Sequence, residues 1–163
     1  MANLYWAANG PMPTTTAIAS VTTGTAVKTL LQIATPATRP LRVVEWGISF
    51  DGTPNAIKCE LMETGAVAAT VTAHVAAGVQ PYSDPNAPAS LVTLGAAATG
   101  YTATAEGTIT ATRYGDLQIV SANTYARQWP LGREFMVGVS RFLRVRVTAA
   151  TAVNANCYVI WEE

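Results

Sequence analysis

Apolar and polar positions alternate with a period of two along most of the chain. Val27, Leu31 and Ile33 alternate with Lys28 and Gln32; Ile57, Cys59 and Leu61 with Lys58 and Glu60; Val67, Val71 and Val75 with Thr70, Thr72 and His74. Ala105, Ile109 and Ala111 oppose Glu106, Thr108, Thr110 and Thr112; Leu143, Val145 and Val147 oppose Arg144 and Arg146; Cys157, Val159 and Trp161 oppose Tyr158 and Ile160. A period of two sends successive side chains to opposite faces of an extended strand, so each run predicts a half-buried antiparallel strand. Turn-forming residues separate the runs at Thr23-Gly24, Asp51-Gly52-Thr53-Pro54, Thr64-Gly65, Tyr114-Gly115-Asp116 and Leu131-Gly132. With no capped window of helical period, the pattern predicts an all-β fold: an antiparallel β-sandwich, jelly-roll-like.

Two stretches break the pattern. Gly78 to Gly100, with Pro81, Pro85 and Pro88, is too long for a hairpin and reads as an excursion across the end of the sandwich, with one helical turn near Ala89 to Leu94. The first residues are small and polar apart from Leu4, Tyr5 and Trp6, and they close on Pro11 and Pro13. They predict an extended N-terminal arm over residues 1–13, ahead of a single β-sandwich domain over 14–163. Adjacent aromatics on an arm without a core of its own make Tyr5 and Trp6 candidate anchors on a neighbouring subunit.

The run from Leu41 to Phe50 is the most informative. A period of two puts Val44, Trp46, Ile48 and Phe50 on an inner face, and Leu41, Val43, Glu45, Gly47 and Ser49 on the outer one. Two aliphatics leading up to one carboxylate predict an interface, with Leu41 and Val43 outward and Glu45 meeting the outward arginines Arg144 and Arg146 across a subunit boundary.

Composition supports a protein that associates. Charged residues are 12% of the 163 positions, about half the usual share, whereas the apolar fraction of 50% is ordinary. Ala and Thr make up about a third of the chain. The exterior must therefore be neutral and adhesive, which favours a homo-oligomer, a trimer first among them. Net charge is zero, so no global field steers the protein to nucleic acid or to an anionic membrane. Arg113 to Arg146 holds six arginines, no lysine and two carboxylates, which suits ordered pairing better than a nucleic-acid surface. The N-terminus lacks a basic region followed by an apolar one, and no segment approaches a membrane span, so synthesis in the cytoplasm is expected.

Catalytic chemistry finds few residues to work with. His74 is the sole histidine and stands on a threonine-rich face away from any nucleophile motif; it reads as a surface or interface histidine. One His with Cys59 and Cys157 cannot build a zinc site, and both cysteines read as buried free thiols. No phosphate-cradling loop occurs, and no cofactor or metal is expected. Glu45, Glu60 and Glu106 could in principle pair as glycosidase carboxylates. Trp129, Tyr101, Tyr114 and Tyr125 fall in or beside predicted loops, where they would cap the core or form a patch for a sugar or a protein.

The N-terminal "NLYWAANG", the strand and turn "VEWGISFDG", the loop "ARQWPLGREF" and the terminal strand pair "FLRVRV…NANCYVIWEE" together resemble head decoration or minor capsid proteins of tailed phages infecting actinobacteria. The resemblance implies a trimeric virion protein on the capsid exterior, bound to the major capsid protein, with no catalytic residues. A tail or baseplate module binding carbohydrate or a host receptor, or a C1q/TNF-like jelly roll, shares the same composition. The interface residues expected on this reading are Tyr5, Trp6, Leu41, Val43, Glu45, Trp129, Arg144 and Arg146.

Overall fold

The computed structural model describes residues 2–12, 15, 17–53 and 55–163. The strands are β1 (Leu4–Ala8), β2 (Val21–Thr22), β3 (Lys28–Ala34), β4 (Leu41–Phe50), β5 (Ile57–Thr64), β6 (Thr70–Ala73), β7 (Gln80–Pro81), β8 (Gly100–Ala105), β9 (Thr112–Val120), β10 (Thr124–Gln128), β11 (Phe135–Val137), β12 (Phe142–Thr148) and β13 (Asn154–Glu162). They form two sheets. The first runs β10-β4-β13-β1-β7, with β11 also on β4 and β2 on β13; the second runs β6-β8-β3-β12-β5-β9. Strand pairing is antiparallel throughout, and the sheets pack face to face as a β-sandwich.

The inner faces follow the alternation in the sequence. Trp46, Ile48, Phe50, Val159 and Trp161 from the first sheet meet Leu31, Ile33, Ile57, Cys59, Leu61, Leu143, Val145 and Val147 from the second in one apolar core. Burying such side chains contributes about 1.5 to 3 kcal/mol each, so this layer dominates the stability of the fold. Cys59 and Cys157 are buried free thiols within it.

Five expectations change. The N-terminal arm is not free: Leu4–Ala8 is β1, paired with β13 on one side and β7 on the other. Tyr5 is 2% exposed, stacks on Trp161 at 6.2 Å and donates to the Pro88 carbonyl at 2.9 Å. An isolated Leu-Tyr-Trp looked like an anchor because its period is too short to register as a strand, but two neighbouring strands complete it. Pro13 lies outside the described residues.

Leu41 and Val43 are fully buried, not outward. The register between β4 and β13 slips here, Ile160 facing Glu45 and Trp161 facing Val43, so that Val44 is an extra residue. A β-bulge moves the alternation by one position. Leu41 and Val43 therefore share the core with Trp46, Ile48 and Phe50, and Glu45 alone of the suspected outward trio faces out.

Tyr114-Gly115-Asp116, read as a turn, lies inside β9, where the register against β5 also slips. A side chain at Gly115 would place its Cβ 2.6 Å from the Phe135 ring, so the strand can pass only as glycine. Residues 106–111 are irregular, and a 3-10 turn falls at Ala76–Gly78 in place of the helical turn expected near Ala89.

Candidate functional site

The outer face of the first sheet carries an open, largely apolar surface. Strand register arranges it in rows: Trp6, Ile160, Glu45 and Gln128; then Ala8, Tyr158, Gly47 and Ala126; then Asn156, Ser49 and Thr124. The middle row holds one large side chain among three small ones. Tyr158 fills the space above Gly47, where a Cβ would stand 2.6 Å from its ring, and its hydroxyl donates to Glu45 Oε1. Burial first, and then the Glu45 carboxylate, push the Tyr158 phenol up to about 12, so it remains a protonated donor at any physiological pH.

With Tyr158 laid toward Glu45, the rest of the face is a trough. It has a volume of about 460 Å³, is edged by Trp6, Tyr158 and Ile18, is floored by Ala8 and Ala126, and carries the amide of Asn156 and the hydroxyls of Ser49 and Thr124. Its size falls within the range of small-ligand clefts, and its lining is mostly apolar with a few polar groups. Trp6 also borders a second depression with Gln80, Pro81 and the exposed Tyr82. Among the described residues no cationic or anionic side chain lines the trough. A ligand or partner surface bound there would be uncharged at its centre.

Around β3 and β12 the outer face of the second sheet is covered by the chain itself, while Leu117 and Ile119 on the edge strand β9 stay exposed. Arg144, on β12 opposite Gln32 and Met62, is fully buried. It donates to the Glu106 carbonyl at 2.9 Å and to the Val67 carbonyl, and lies 3.4 Å from the Glu106 carboxylate, which also takes the Thr29 amide and hydroxyl at 2.6 Å each. Arg146 pairs with Glu60 at 2.8 Å, and Lys58 reaches the same carboxylate at 3.0 Å. Gln32 donates to the Ala98 carbonyl at 2.7 Å and accepts from the Ala69 amide at 2.8 Å. Arg144 and Arg146 thus face away from Glu45, on the opposite side of the sandwich, and carboxylates of their own chain hold them. The pairing with Glu45 expected from the sequence does not fit this geometry.

Asp116 is the polar tie between the sheets, and the sequence did not single it out. From β9 it accepts the Trp46 indole at 3.1 Å, the Tyr125 hydroxyl at 2.8 Å, Arg127 at 2.9 Å, Gln118 at 2.8 Å and the Leu117 amide at 2.9 Å. Burial would raise its carboxyl, but the bonds from Gln118, Tyr125 and Trp46, with the Arg127 charge, hold it below the ordinary 3.8. Only its position beside a glycine bulge could have flagged it.

The remaining candidates separate. Trp129 is buried at the end of β10 with Arg127 stacked on its ring at 5.1 Å, so it caps the core and does not present an exposed anchor. Tyr101, Tyr114 and Tyr125 stand in strands, not in one loop cluster. His74 is buried, not on the surface: it donates from Nε2 to the Ala8 carbonyl at 2.9 Å and packs on Tyr101 at 4.9 Å, and burial lowers its pKa. Glu45 and Glu60 point from opposite outer faces, farther apart than a glycosidase pair allows, since packed sheets alone stand ~10 Å apart. Among the described residues no group of three or more His, Cys, Asp or Glu could hold a metal ion, and no helix is long and apolar enough to cross a membrane. The chain matches none of the family models, curated proteins or solved structures with which it was compared.

Proposed function

We propose that the protein is a non-enzymatic structural protein of a phage virion, binding the capsid exterior against the major capsid protein as a homotrimeric decoration protein. One observation carries the reading: the buried charges of Arg144, Glu60 and Asp116 are paired within the chain, while the face of the first sheet around Trp6 and Tyr158 is an open, uncharged trough. A protein that must dissolve singly and then attach needs such a surface, because an interface core is depleted in charge and enriched in Trp and Tyr. The resemblance of "VEWGISFDG" and "ARQWPLGREF" to decoration proteins supplies the shell as the partner. Purified protein mixed with phage particles stripped of it should co-sediment with them and raise the temperature at which they release DNA. Failure to bind while folded and oligomeric would overturn the reading.

The trough favours one alternative. Trp6 and Tyr158 at its edges, with Asn156, Ser49 and Thr124 along it, suit the apolar face and hydroxyl rim of a neutral sugar, as in a tail or baseplate module. Neutral oligosaccharides that quench tryptophan fluorescence in the parent, but not in Trp6→Ala, would select this alternative over the first.

A further inference from the structure

The loop that follows β10 presents a feature that nothing among the described residues uses. Leu131 is 97% exposed at the tip of the turn Pro130-Leu131-Gly132-Arg133. The turn is held at both ends. The Arg133 amide donates to the Pro130 carbonyl at 3.0 Å, the Gly132 amide donates to Glu134 at 3.0 Å, and just before it Trp129 is anchored in the core with its amide on the Val44 carbonyl at 2.9 Å. A single exposed leucine is ordinary on any surface. A leucine on a pinned turn, beside an exposed arginine and on the same sheet as an empty apolar trough, calls for comparison with that trough.

The two features are complementary. The trough offers Ala8, Ala126 and the edges of Trp6 and Tyr158 to an apolar side chain. In the row next to it stands Glu45, whose Oε1 takes the Tyr158 hydroxyl and whose Oε2 has no partner among the described residues. The exposed Arg133 likewise enters no ion pair among them. The turn does not enter its own molecule's trough, as its exposure shows. A second copy of the chain can bring its own turn to the trough.

We infer that the Leu131 turn of one copy seats in the outer-face trough of a second copy, with Arg133 facing Glu45 across the contact. The contact joins two different patches and is therefore head-to-tail; such contacts close into rings when the rotation allows and otherwise extend into filaments. The carboxylate that suggested an interface in the sequence keeps that role, with Arg133 in place of Arg144 and Arg146. This inference rests on the oligomeric part of the function proposed above and names the surfaces that would build it.

The test is sedimentation equilibrium of the full chain in four forms: parent, Leu131→Ser, Ala126→Trp, and an equimolar mixture of the two variants. Both substitutions are at exposed positions, and circular dichroism with thermal melting confirms that each variant is folded. Leu131→Ser removes the knob and Ala126→Trp fills the trough, so each should weaken self-association about thirtyfold, the scale of a hot-spot loss. The mixture should form a one-to-one dimer that neither variant forms alone, because one intact knob then meets one intact trough. Glu45→Gln and Arg133→Gln should cost less together than the sum of their separate effects. A parent oligomer untouched by either variant would overturn this contact and leave the trimer proposal standing. A parent monomeric up to millimolar concentration would overturn both, and particle binding would then judge attachment by itself.

Discussion

The two outer faces of the sandwich are made from strands of similar alternating pattern, yet they end in opposite states. On the second sheet the outward residues around β12 are long, Gln32 and Met62 beside the charged Arg144, Arg146, Glu60 and Lys58. The chain folds back over them at Val67, Ala69, Ala98 and Glu106 until Arg144 is fully buried and Arg146, Glu60 and Lys58 form one cluster. On the first sheet the outward residues around the trough include the small Ala8, Gly47, Ser49 and Ala126, and the segment around Ile18 and Ser20 approaches them. The difference teaches where this protein keeps its specificity. Charges closed within the chain fix the register of loops on strands, whereas the face left open is the one from which charge has been withdrawn.

The closed face should be the more fragile. Arg144→Met removes the donor from two carbonyls and from Glu106 and should cost about 3 to 5 kcal/mol of unfolding free energy in urea, as for one partner of a buried ion pair. The companion change Glu106→Gln on that background should cost less than it does alone. A loss below about 1 kcal/mol would mean that the loops over this face contribute little.

Next in size is the tie between the sheets. Asp116→Ala should lose about 2 to 3 kcal/mol, because Trp46 and Tyr125 are left with unmet donors. The pH dependence has a definite sign. The folded carboxyl titrates below 3.8, so its stabilisation is fully present above that value and disappears as pH falls through the lower folded value. Asp116→Asn should therefore flatten the acid limb of a melting-temperature profile in that window and leave the neutral region parallel to the parent.

The open face should tolerate change. Tyr158→Phe deletes the bond to a half-buried Glu45 and should cost about 1 kcal/mol. Ala126→Trp, at an exposed position on an edge strand, should move stability by no more than about 0.5 kcal/mol. If instead the open-face variants unfolded the protein and the Arg144 variant did not, the contrast between the faces would be reversed.

Much of the fold was legible in the alternation. That Leu143, Val145 and Val147 face inward, as Ile57, Cys59 and Leu61 do, needed nothing beyond a period of two, and neither did the outward direction of Arg144, Arg146 and Tyr158. The errors fell where a strand carries an extra residue. At Val44 and again at Gly115 a bulge shifts the phase, so counting by twos put Leu41 and Val43 outside and read Tyr114-Gly115-Asp116 as a turn. A bulge has no reliable mark in the local residues, since the partner strand decides which amide is skipped.

The candidate site divides in the same way. Glu45 could be singled out from the sequence because a lone carboxylate after aliphatics is conspicuous wherever it lies. That Tyr158 bends over Gly47 to meet it, that the alanines of β1 and β10 stand level with Tyr158, and that Asp116 gathers donors from two other strands follow from residues 9 to 150 positions apart. The sequence by itself determined the fold class and the inward set of the strands read without an extra residue, such as β12 and β13, because strand geometry is local and repeats every two residues. Only the tertiary structure decided which outward face would be covered and which left open. That outcome depends on where Gly65 to Ala69 and the chain after β8 come to rest, and no periodicity within either segment encodes the surface on which it lands.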